Sequence, residues 1–122
     1  MARSLEGASL ATLRRLAAKA PTDPALLNEL GGQLRRAGDA AAAVTCLERA
    51  ARFAPRSAET RYNLGLALAA CGRSADAEAA YRLATQLKPE LLPAWLNLGN
   101  LLAATRPRDA EAAYRQALSR RP

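Results

Sequence analysis

The chain has 122 residues, with 18 Lys and Arg against 11 Asp and Glu, a formal net charge of +7, and neither His nor Ile. This length suits one domain that buries a core without staples, and the missing His excludes imidazole catalysis. No stretch approaches the roughly 18 apolar residues that a membrane span needs.

Ala, Leu and Arg dominate and β-branched residues are scarce, so every element is expected to be a helix. The first is an amphipathic helix over 4–20, with Leu5, Leu10, Leu13, Leu16, Ala17 and Ala20 as its apolar stripe. Pro21 follows it. Asp23 then caps a second helix, with Pro24 at its first position. Gly38 and Asp39 make a turn into a third helix, which Pro55 ends. Ser57 caps a fourth helix from about Ala58 to Ala70, and Gly72 permits the left-handed residue that closes it. Ser74 is the expected cap of a fifth helix running to about Leu87, before Pro89. After the sixth helix, Thr105-Arg106-Pro107 stands where a glycine turn stood before, and Pro107 can start the seventh.

These elements repeat. Leu30-Gly31, Leu64-Gly65 and Leu98-Gly99 are 34 residues apart, and Pro55, Pro89 and Pro122 are spaced by 34 and 33. Leu27, Leu34, Ala43, Leu47 and Ala50 recur as Arg61, Leu68, Ala77, Tyr81 and Ala84, and again as Trp95, Leu102, Ala110, Tyr114 and Ala117. The units are 24–57, 58–91 and 92–122, the last with a turn one residue shorter; the helix over 4–20 reads as half a unit. A glycine inside a helix costs about 1 kcal/mol against Ala, so Gly31, Gly65 and Gly99 imply close helix approach. Ala43, Ala77 and Ala110 are their expected contact partners. Arg61, where the other units have Leu27 and Trp95, is expected to pack its stem and send its guanidinium to solvent.

The pattern closely resembles the tetratricopeptide repeat, above all in AWLNLGN at 94–100. The resemblance implies an all-α fold: a right-handed solenoid of antiparallel helix pairs, about 3.5 units and seven helices. It also implies a concave face lined by the first helix of each pair. Helical spacing places Asn28, Gly32, Arg35 and Arg36, then Tyr62, Asn63, Leu66 and Ala69, then Leu96, Asn97, Asn100 and Ala103 on that face.

Asn63 and Asn97 occupy equivalent points, with Glu29 in the first unit. An Asn offers a donor and an acceptor, so the two form rungs for a peptide backbone, or else bond within the helices. Arg35 and Arg36 suit an acidic segment or a terminal carboxylate. The carboxylate clamp of some family members is not carried over, because Pro93 and Asn97 stand at its Lys and Arg positions.

No catalytic constellation, cofactor motif or metal spacing appears. Cys46 and Cys71 are 25 residues apart and fit neither zinc nor a C-x-x-C pair, so free thiols are expected. The basic residues are spread among acids, without interleaved aromatics, which argues against nucleic acid. The N-terminal residues lack a signal-peptide core, so a soluble, cytoplasmic protein is expected. The Ala- and Arg-rich, Ile-free composition is associated with GC-rich bacterial genomes.

The expected function is a protein–protein interaction module or scaffold that holds an extended peptide or partner segment in the groove. The alternative is the substrate-positioning repeat portion of a larger enzyme, such as a glycosyltransferase or sulfotransferase. No capping helix follows Pro122, so Leu102 and Tyr114 are expected to be partly exposed at that end. Self-association there, or a longer parent chain, is expected.

Overall fold

A computed structural model describes residues 8–120. Its helices are α1 (Leu10–Lys19), α2 (Pro24–Arg36), α3 (Ala40–Phe53), α4 (Ala58–Ala70), α5 (Ser74–Leu87), α6 (Leu92–Leu102) and α7 (Pro107–Ser119), with no strand among the described residues.

Local chemistry sets most of these boundaries. The Asp23 carboxylate accepts from the amides of Ala25 and Leu26, and Pro24 opens α2. Asp39 caps α3 through the Ala42 amide, and the Ser57 hydroxyl caps α4 through the Thr60 amide. Each cap satisfies a backbone N–H that has no partner inside the helix. Gly38 and Gly72 take φ of +91° and +77°, the left-handed residues that close α2 and α4.

Two expected helix starts change, and the altered last turn is as expected. The first helix begins at Leu10 and not at residue 4, because the Ser9 hydroxyl caps it through the Thr12 amide; Leu5 lies outside the described residues. Ser74 is the first residue of α5 and not its cap. Arg73 holds the cap position and pairs with Asp76 in the first turn. Between α6 and α7 no residue is left-handed; instead the Arg106 amide donates to the Leu102 carbonyl at 2.7 Å.

The helices pack as antiparallel neighbours, α2 on α3, α4 on α5 and α6 on α7, and successive pairs stack through α3 on α4 and α5 on α6, with α1 on α2. One continuous apolar core runs through this α-solenoid, from Leu13 and Leu27 through Leu47 and Tyr81 to Leu98 and Leu102.

The helical glycines meet large side chains and not the alanines expected. A Cβ at Gly65 would lie 2.5 Å from Tyr81 Cε1, one at Gly31 2.5 Å from Leu47 Cγ, and one at Gly99 2.5 Å from Tyr114 Cε1. The ring or branched end lies against the glycine, so the helices approach through that side chain. Ala43, Ala77 and Ala110 are buried in the core beside them.

Leu102 is buried and not exposed, because it belongs to the same cluster as Ala110 and Ala113 of α7. Tyr114 is half-buried, as expected, and the exposed apolar residue of α7 is Leu118. Arg61 is half-buried, but its Nε is buried with no hydrogen-bond partner, so the guanidinium does not fully reach solvent.

Candidate functional site

α2, α4 and α6 each bring polar side chains to one face, and that face has an internal order. Asn63 Nδ2 donates to Asn28 Oδ1 at 3.1 Å, and Asn97 Nδ2 donates to the Tyr62 hydroxyl at 3.1 Å. Both bonds span 35 residues, one more than the repeat. Asn63 and Asn97 are therefore not paired with each other. Each reaches back to the preceding first helix, at the position just before its own equivalent. The second Asn97 amide hydrogen goes to the Pro93 carbonyl at 2.9 Å, so both its donors are occupied.

Asn100 accepts from the Tyr114 hydroxyl at 2.6 Å, which holds the tyrosine ring over Gly99. Arg35 is half-buried and Arg36 exposed, both in the last turn of α2. Among the described residues neither enters an ion pair. Burial raises the Tyr62 hydroxyl above its usual pKa, opposed by the nearby Arg35 charge. Behind it, burial pushes Tyr81 up to about 12, with Tyr62 adding and Arg35 opposing. The two rings are tilted at 41° with centroids 6.1 Å apart.

Of the twelve residues expected on this face, eleven are half-buried or exposed, and Gly32 is buried. The structure joins Asn28 to Asn63 and Tyr62 to Asn97. It ties Asn100 to Tyr114, a partner that helical spacing did not point to. An offset of 35 read beside the 34-residue period is the signal that finds the Tyr62–Asn97 pair.

Elsewhere, a cleft of about 230 Å³ lies between α5, α6 and α7, lined by Arg82, Trp95, Leu98, Asp109, Ala113 and Gln116, and it shares no residue with the polar row. Its charged groups are engaged: Arg82 pairs with Glu78, and Asp109 with Arg106. Cys46 and Cys71 are free thiols, and burial raises the pKa of Cys46. Among the described residues no three His, Cys, Asp or Glu side chains gather as metal ligands. None of their helices is long and apolar enough to cross a membrane.

Known proteins resemble this chain in fold and in sequence. A crystal structure of MamA superposes with a TM-score of 0.86 at 24% identity, covering 93% of this chain and 67% of that one. The MamA RS-1 ArsTM double mutant gives 0.85 at 20% identity over 90% of this chain and 62% of that one. At these identities the likeness is one of fold. The mouse (Mus musculus) protein O-mannosyl-transferase TMTC3 is 30% identical in an alignment of 113 positions that covers 80% of this chain but 12% of the mouse protein. A family model of the tetratricopeptide repeat matches residues 29–91. With the 34-residue period, the packed helix pairs and this match over half its length, the chain belongs to the tetratricopeptide repeat family.

Proposed function

We propose that the protein is an interaction module that holds an extended partner segment along the face formed by α2, α4 and α6. Tetratricopeptide repeats typically mediate protein–protein interaction, and the groove is this chain's own candidate surface. One observation carries the reading. The polar groups of the face are preorganised by bonds between successive first helices, Asn63 to Asn28 and Asn97 to Tyr62. A partner meets groups already held in place, which lowers the ordering cost of binding. Leu66 and Leu96, the latter 40% exposed, offer apolar contact beside them.

Photo-crosslinking tests this. A benzophenone side chain at Ala69 or Ala103, on the groove, is expected to trap a common partner in extracts of the host cell. The same group at Ala41 or Ala79, exposed on the second helices, is expected to trap none. Equal trapping from both faces overturns the groove assignment.

The match to the mouse mannosyl-transferase over 12% of its length favours one alternative, a repeat segment that positions a protein substrate for a catalytic domain of the same polypeptide. A reading frame that continues into a catalytic domain selects that alternative.

A further inference from the structure

The groove proposed above is unevenly charged. α6 has no charged residue, and the charges of α4 are Glu59, paired with Lys88 at 3.0 Å, and Arg61, at the position where Leu27 and Trp95 are packed inward. α2 has Glu29, Arg35 and Arg36. Glu29 is six residues before Arg35, about 9 Å along the axis, and Asp39, beyond Arg36, spends its carboxylate on the Ala42 amide, so the end of α2 presents two cations that no acid of α2, α4 or α6 balances.

The hydrogen-bonding capacity left on this side is also one-sided. The Tyr62 oxygen accepts from Asn97, and among the described residues its own hydrogen is given to no acceptor. Asn28 uses its carbonyl on Asn63 and keeps its amide hydrogens. Arg35 and Arg36 add guanidinium donors with no ion-pair partner among the described residues. Of these donors, the Tyr62 hydroxyl is the one within reach of the Arg35 charge, whereas Asn28 is seven residues before Arg35 on α2; a free hydroxyl beside a guanidinium calls for an anionic acceptor.

We infer that the α2 end of the groove recognises an acidic protein segment, with an Asp or Glu carboxylate of the partner held by Arg35 and the Tyr62 hydroxyl and a second one facing Arg36. The inference rests on the groove reading and names its ligand class. Leucines flanking the carboxylate meet Leu66 and Leu96. An RNA phosphate carries the same charge, but single-strand binding also needs open aromatic faces. Tyr62 is half-buried against Tyr81, so the groove favours the peptide.

The test uses the whole chain and three fluorescein-labelled probes in about 0.15 M salt: a Leu/Glu-rich peptide, its Leu/Gln counterpart, and an oligouridylate. The acidic peptide is expected to bind about tenfold or more tighter than the neutral one. Arg35→Gln with Arg36→Gln is expected to remove that preference, and Tyr62→Phe to reduce it. Arg108→Gln with Arg115→Gln on α7, an equal loss of charge, is expected to leave it within about twofold. Circular dichroism of each variant separates misfolding from lost contact. Equal binding of both peptides, an equal effect of the α7 pair, or tighter binding of oligouridylate overturns the acidic assignment. If the neutral peptide still crosslinks from position 69, the groove reading stands alone; if neither peptide does, that reading fails as well.

Discussion

Asn97 on α6 donates to the Tyr62 hydroxyl on α4 at 3.1 Å, which repeats one unit later the bond from Asn63 to Asn28. The three first helices are thus stapled in succession by the same device, although the receiving residue changes from an amide to a phenol. The bonds are partly buried, where a hydrogen bond contributes about 1 kcal/mol. Asn63→Ala and Asn97→Ala are each expected to lower stability by about 1 kcal/mol with no ligand present. A shift of the urea midpoint at constant slope checks this. Unchanged midpoints would mean that the amides are free for a partner.

Two helical glycines, Gly65 in α4 and Gly32 in α2, are expected to respond in opposite directions to the same change. At Gly65 an added Cβ would sit 2.5 Å from a ring atom of Tyr81, which is 2% exposed and has no room to move. Gly65→Ala is therefore expected to cost about 1–3 kcal/mol through overpacking, despite the better helix propensity of Ala. At Gly32 the new Cβ would meet only the end of the Arg36 side chain, at 3.7 Å. Gly32→Ala is expected to gain about 0.5–1 kcal/mol from helix propensity. Thermal melts of the two variants in parallel distinguish the packing glycine from the tolerated one.

Tyr81 also gives the fold a pH dependence on the alkaline side. Its phenol, which ionises near 10 in the unfolded chain, is raised to about 12 when folded, mainly by burial. The folded chain therefore keeps a proton that the unfolded chain has lost. The contribution is complete below about pH 10 and is lost as pH rises towards 12, on the order of 2 kcal/mol in all. Tyr62 is shifted in the same direction, also chiefly by burial. Tyr81→Phe is expected to flatten the midpoint-against-pH curve between pH 9 and 11, which urea titrations at several pH values would show.

Much of the architecture was legible because its signals are local. Asp23-Pro24, Ser57 and Gly72 act within three residues of themselves, so reading them in order locates the ends of α2 and α4. The period of 34 then places the helices in pairs. The site was legible as a list of faces but not as a network. Which residue meets Asn97 depends on how far one first helix is staggered against the next, and a one-residue stagger turns an Asn–Asn ladder into Asn97–Tyr62. Leu102 was misread for a related reason: burial at the last helix pair is decided by the packing of α7 back onto α6.

Arg61 is the position where the repeat and its chemistry disagree most. Leu27 is fully buried, and Trp95 is half-buried with its indole N–H on the Pro89 carbonyl at 2.7 Å. In α4 the same position holds an arginine whose Nε is buried without a partner. An unsatisfied buried donor costs about 1–3 kcal/mol, so Arg61→Leu is expected to raise stability by about 1 kcal/mol. Arg61→Trp should raise it as much or more, because Pro55 stands to position 61 as Pro89 stands to Trp95. Its carbonyl is then placed to accept the new indole N–H. Denaturation of both variants, with tryptophan fluorescence reporting the second indole, checks the expectation. If both melt below the parent, the arginine head is held by solvent or by a partner in a way that outweighs its buried Nε.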